Sequence, residues 1–128
     1  MKIVHVIESI DPAKGGPSQS TPSLAAAQAL LGHNVVLIFE QTAANQSAEK
    51  WDNSIPHLEK LEIVGVLKQS IVKTMFTTGT SSTLDAHIAS CDIVHLHGVW
   101  DAILSRAVKL ARLHDKPYVI APRGMLNP

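Results

Sequence analysis

The sequence points to a doubly wound parallel α/β domain, with strand order 3-2-1-4-5 and helices on both faces, on three observations. Short runs rich in β-branched residues alternate with helical segments from end to end, the pattern of βαβ units joined by right-handed crossovers. At 128 residues, 45% of them hydrophobic, the chain has the size and composition of one such domain, residues 1–128, with its own core. Glycine-bearing turns follow the first and fourth runs, at the sheet rim where such folds gather ligands.

Lys2 to Glu8 reads as the first strand and leads into the turn-rich Asp11-Pro12-Ala13-Lys14-Gly15-Gly16-Pro17. A helix follows, with Leu24, Ala25, Ala27, Gln28 and Leu31 at helical spacing and Gly32 just past its end. Pro22 suits a first helical turn, so Thr21 reads as the cap of a helix starting there, against an earlier, distorted start. Val35 to Glu40 is the second strand, and the polar stretch 41 to 58 has room for a short helix around Trp51. Leu61 to Leu67 is the third strand. Ile71, Val72, Met75 and Phe76 then form an apolar patch, and the hydroxyls of 77–82 are suited to cap a helix from Thr83 to Ser90. The fourth strand is Ile93 to His97. From about Ala102 to His114 a helix buries Ile103, Leu104, Ala107, Val108, Leu110 and Ala111 and solvates Arg106, Lys109 and Arg112. Pro117 to Ala121 is the fifth strand. There is no internal repeat, low-complexity tract or interdomain linker.

Composition excludes several classes. A formal net charge of +0 and a pI of about 7.1 give no basic surface of the kind nucleic-acid binding uses. The single cysteine, Cys91, rules out an internal disulfide framework and reads as a small buried hydrophobe in a reducing, cytoplasmic setting. The amino-terminal apolar run is too short for a signal peptide, and no run approaches the roughly 18 residues of a spanning helix. Peripheral contact with a membrane stays open.

The segment Asp92-Ile93-Val94-His95-Leu96-His97-Gly98-Val99-Trp100 carries the chemistry. Side chains alternate along a strand, so His95 and His97 share a face, in a position that parallel sheets normally fill with hydrocarbon. Imidazole is costly there unless hydrogen-bonded or facing a cleft. His97 sits at the strand's carboxyl end, beside the expected switch point between strands 1 and 4. Gly15-Gly16 after strand 1, Gly98 after strand 4 and Arg123-Gly124 after strand 5 should meet there. Together they suit a phosphate or a hydroxylated substrate. Each has a plainer reading. His97 is otherwise a hydrogen-bonded core histidine, Gly15-Gly16 a flexible turn without a dinucleotide fingerprint, and Arg123 a solvated strand end. His95 reads as structural. Trp100 reads as packing over the next helix's first turn, with stacking on a sugar as the alternative.

Met1-Lys2-Ile3-Val4-His5-Val6, Gly15-Gly16-Pro17, Gly32-His33-Asn34-Val35, the segment 92–100 and Ala121-Pro122-Arg123-Gly124-Met125-Leu126 carry a family likeness. The chain resembles the Rossmann-like N-terminal domain of retaining GT-B glycosyltransferases of the group 1, or family 4, type. That resemblance implies half of a two-domain fold. This half binds a small-molecule, glycan or glycolipid acceptor, and a C-terminal domain absent from the chain binds most of a nucleotide-sugar co-substrate; no other cofactor and no metal is called for. It further implies that His97 is the active-site histidine, positioning the reacting centre rather than acting as an established base. Gly15, Gly16, Gly98, Trp100 and Arg123 would be substrate-binding. The implied setting is polysaccharide biosynthesis, in the cytoplasm or at the inner membrane face, with this half inactive alone. Two rivals stand beside it: a metal-dependent hydrolase using His95 and His97, with His5 a possible neighbour, and a stand-alone flavodoxin-like binding domain.

Overall fold

A computed structural model describes residues 1–41, 55–67, 82–124 and 126. Five strands form one parallel sheet of order β3-β2-β1-β4-β5: β1 Lys2–Ile7, β2 Asn34–Gln41, β3 Glu62–Leu67, β4 Ile93–His97 and β5 Tyr118–Ala121. Among the described residues the α-helices are α1 Gly16–Leu30, α2 Ser82–Ser90 and α3 Ala102–Leu113. The architecture is the doubly wound, Rossmann-like arrangement that the sequence predicts. The expected helix around Trp51, the Ile71–Phe76 patch and the hydroxyl cap at 77–82 fall outside the described residues. Among those described, no helix is long and apolar enough to cross a membrane.

The β1, β2 and β4 sequences are buried on both sides, so alternate residues feed two separate cores. Val4, Val6, Val36, Ile38, Val94 and Leu96 face α2 and α3, meeting Leu84, Ile88, Ile103, Leu104, Ala107 and Ala111. Ile3, Ile7, Val35, Leu37 and Phe39 face the other way, against Ala25 and Ala26 of α1. The helices therefore leave β1 and β4 on opposite faces, which opens the switch point between those strands. Cys91 is buried, its thiol donates to the Ile88 carbonyl oxygen, and burial raises its pKa; it packs as a hydrophobe.

Helix α1 departs from the sequence expectation. It begins at Gly16, with Gly15 as its cap and Pro17 in its first turn, and Pro22 lies inside it. Pro17 carries the fixed φ and missing N–H that a first turn tolerates, so the helix can start ahead of it. The internal Pro22 costs about 3 kcal/mol in helix propensity, offset by the burial of Ser18, Thr21, Pro22, Ala25 and Ala26. The buried face is correspondingly different from the expected stripe. Leu24 and Leu31 are exposed at 36% and 79%, and the small residues lie against the sheet. Small residues let the helix approach closely. Gly32 ends the helix as expected, with φ at +99°.

Thr21 is fully buried, and its Oγ1 has no hydrogen-bond partner among the described residues. Replacing a buried unsatisfied hydroxyl by a methyl removes its desolvation penalty. Thr21→Val should raise stability by about 1 kcal/mol in chemical denaturation; a loss of that size would mean that the hydroxyl has a partner in solution.

Candidate functional site

The parallel register pairs His5 of β1 with His95 and Ile7 with His97 of β4, so the three imidazoles share the sheet face that α1 covers. Their rings pack together, His95 on His97 with centroids 4.2 Å apart and His5 at 5.1 Å from each. His5 is fully buried and His97 is 2% exposed, yet neither is sealed in hydrocarbon. His5 Nδ1 lies 2.8 Å from His97 Nε2, and His5 Nε2 lies 2.6 Å from Gln28 Oε1 of α1. His97 Nδ1 takes a 2.9 Å hydrogen bond from Arg123 Nη2, and Arg123 Nη1 donates to Ser20 Oγ at 3.1 Å. Every nitrogen of His5 and His97 is engaged, the condition for burying an imidazole at acceptable cost.

Burial pushes the His97 pKa down to about 2, with the charges of His95, His5 and Arg123 acting in the same direction. Burial likewise lowers His5 to about 4, against the Gln28 hydrogen bond, which favours the charged form. His95 is lowered by burial and then by Arg123. The three rings are neutral at pH 7.

On the rim side, His97 and Arg123 line a cavity of about 170 Å³ with Ile7, Glu8, Ser9, Lys14, Pro17, Ser18 and Asp101. Ile7, His97 and Arg123 lie at or just past the carboxyl ends of β1, β4 and β5, Pro17 and Ser18 in the first turn of α1, and Lys14 and Asp101 in the connections between elements, so these three strand ends meet as the sequence predicts while Gly98 does not join them. Ser18 Oγ donates to the Ser9 carbonyl oxygen and pins the helix start to the strand end. Lys14 Nζ lies 3.7 Å from Glu8 Oε1. Cations and carboxylates are balanced, two of each, and Ser9 and Ser18 also line the cavity.

The predicted residues fare differently. His97 and Arg123 sit together in the cavity wall. Gly15 and Gly16 lie between wall residues Lys14 and Pro17 without lining the cavity themselves, and a Cβ at either would meet nothing within 4 Å. Gly15 at φ +89° is the stronger constraint, since its backbone needs glycine. Gly98 lines a second cavity of about 250 Å³ on the opposite sheet face, with Leu96, Leu104, Val108 and Ile120. Trp100 is 73% exposed, so it does not pack down onto α3 as its plainer reading required. Arg123 is no solvated strand end. Sequence reasoning missed Gln28, Lys14, Ser18, Ser20 and Asp101; Gln28 was legible as a polar residue three positions after buried Ala25, on the same helical face.

Nitrogens of His5, His95 and His97 all lie within 4.8 Å of one another, spacing that a metal could in principle use. Proton placement argues against it. Arg123 is donor-only, so the His97 Nδ1 that it contacts is a lone pair, and the proton of the neutral ring sits on Nε2. A metal bound at that nitrogen would have to displace its proton, and one bound at Nδ1 would have to displace Arg123. A guanidinium alongside adds repulsion.

Searches of protein-family models, curated proteins and solved structures each returned no match.

The depressed imidazole pKa values couple to stability with a definite sign. Below the ordinary value of 6.5 the unfolded chain takes up protons that the folded one refuses, so stability falls as pH falls. Between pH 7 and 5, each of His5 and His97 should cost about 2 kcal/mol. Urea unfolding at the two pH values checks this, and equal stabilities would show that the rings are charged or solvated in the fold.

Proposed function

We propose that this chain forms the acceptor-side half of a retaining, nucleotide-sugar-dependent glycosyltransferase. One observation carries the reading: the cavity at the β1/β4 switch point offers donors and acceptors in balance around a space of about 170 Å³. A hydroxyl group both donates and accepts, so a polyol is satisfied by such a mixed lining where a bare anion or cation is not. Drug-sized ligands occupy roughly 300 Å³ or more, so this space accommodates one sugar-sized moiety and leaves the rest of a nucleotide sugar to a facing domain. The resemblance of 92–100 and 121–126 to glycosyltransferase sequence supports the same conclusion.

In this reading Arg123 and Lys14 donate to sugar or phosphate oxygens, and Glu8 and Asp101 accept from hydroxyls. The first turn of α1 adds the positive end of a helix dipole. The acceptor oxygen bonds to the anomeric carbon as the bond to the leaving phosphate breaks, on the same face, and the acceptor proton passes to a phosphate oxygen. His97, neutral and bonded at both nitrogens, holds Arg123 rather than abstracting that proton. The proposed setting is cytoplasmic, at the inner membrane face where the acceptor is a glycolipid, and in polysaccharide assembly.

The test is turnover. Protein from the complete reading frame is given a panel of nucleotide sugars and acceptors, and nucleoside diphosphate release is measured. Arg123→Met should lower kcat/KM about 100-fold, whereas Arg106→Gln, outside the cavity, should leave it unchanged. No release from any donor would overturn the proposal, and zinc-dependent hydrolysis abolished in His97→Ala would replace it by the hydrolase reading.

A further inference from the structure

Gln28, His5, His97 and Arg123 form a single row of hydrogen bonds that starts on α1, crosses β1 and β4, and ends in the cavity wall. Its proton order follows from one end. A guanidinium has five N–H donors and no acceptor, so His97 Nδ1 must be a lone pair. A neutral ring with a bare Nδ1 carries its proton on Nε2, and that N–H points at His5 Nδ1, 2.8 Å away. His5 Nδ1 is then a lone pair as well, and its proton sits on Nε2 facing the amide oxygen of Gln28. No member can reverse alone without setting two donors or two lone pairs against each other.

We propose that Gln28 and His5 are positioning residues that act through His97 to aim Arg123, each holding the next in the one proton order that leaves a lone pair for the guanidinium. Gln28 does not line the cavity, and His5 is fully buried, so neither touches a ligand there. Their influence passes through bonds. An imidazole proton on His97 Nδ1 would face a guanidinium N–H and expel the side chain. His95 takes no part in the row; its ring stacks on His97 and fixes the plane in which Nδ1 points. Arg123 itself spends two donors on His97 and Ser20, while its buried Nε has no partner among the described residues. Nη1 and Nη2 each keep a second N–H, and Arg123 lines the cavity. The proton order stands on the hydrogen bonds alone; its consequence for ligand binding rests on the reading of the cavity given above.

Reversing the polarity at Gln28 tests the row. Gln28 is part-buried, so a longer polar side chain can be tolerated there. Gln28→Lys offers only donors to His5 Nε2, which forces the His5 proton to Nδ1 and the His97 proton to Nδ1 in turn. Gln28→Glu keeps an acceptor and preserves the original order at pH 8.5, high enough to keep His5 neutral beside a carboxylate. Histidine ¹⁵N spectra at that pH should show protonated Nε2 on His97 in wild type and Gln28→Glu, and protonated Nδ1 in Gln28→Lys. Solvent exchange of the Arg123 Nε–H should accelerate at least 10-fold in Gln28→Lys only. A role confined to packing would leave the tautomer alike in all three. An Nδ1-protonated His97 in wild type, readable even where Gln28→Lys fails to fold, would overturn the proposal outright. An unchanged His97 tautomer in a folded Gln28→Lys would do the same. With the order confirmed, a Gln28→Lys enzyme that keeps full turnover would instead count against the cavity reading.

Discussion

The interior of this sheet depends on finding a partner for each ring nitrogen of two buried imidazoles. A parallel strand covered on both faces ordinarily carries only hydrocarbon, because an unpaired buried polar group costs on the order of 1–3 kcal/mol. Here His5 and His97 sit on adjacent central strands and satisfy each other, and the remaining nitrogens reach out in opposite directions, one to α1 and one to Arg123. That arrangement fixes more than local geometry. It requires α1 to lie low enough over β1 for Gln28 to reach His5, which the small residues Ala25 and Ala26 permit. It also requires the chain after β5 to fold back toward β4.

Much of the framework was legible because it rests on local pattern. The Val- and Ile-rich runs, the glycine after α1 and the amphipathic α3 each state their own conformation, and the alternation of strands with helices dictates the topology. β4 was read with its observed bounds because Asp92 and Gly98 punctuate it. The start of α1 was not, since two prolines compete for the same role and only tertiary burial decides between them. The site was half legible. That rims of β1, β4 and β5 meet follows from topology alone. Which imidazole pairs with which depends on the register of β1 against β4, and the contribution of Gln28 depends on the rotation of α1 about its axis, neither of which a single segment encodes.

Charge placement separates the cavity from the row behind it. The row holds only neutral side chains until its last member, and desolvation keeps them so, since a proton on either ring would sit in a poorly polarisable interior beside a guanidinium. The cavity, in contrast, mixes Lys14 and Arg123 with Glu8 and Asp101 close to solvent. An imidazole placed at that boundary with a pKa near neutrality would serve as a general base. One pushed down to about 2 serves as an acceptor that does not change with pH in the physiological range. In the proposed row His5 and His97 thus act as a scaffold for Arg123, with His95 stacked on His97.

Arg123 shows the same logic at the level of the backbone. Its φ of +55° lies in the left-handed region, which a side-chain-bearing residue adopts at a cost of roughly 1 kcal/mol or more. Gly124 beside it, also at positive φ, would have been the easier residue at such a turn. The strained position brings the guanidinium within reach of His97 on β4 and Ser20 on α1 together, so that one side chain ties the end of β5 to both sides of the switch point. A lysine there would carry the charge, but not the planar fork that spans two acceptors at once. From that backbone angle the fork sits in the cavity wall, and its hold depends on a lone pair that Gln28, on α1 at the far end of the row, helps to specify.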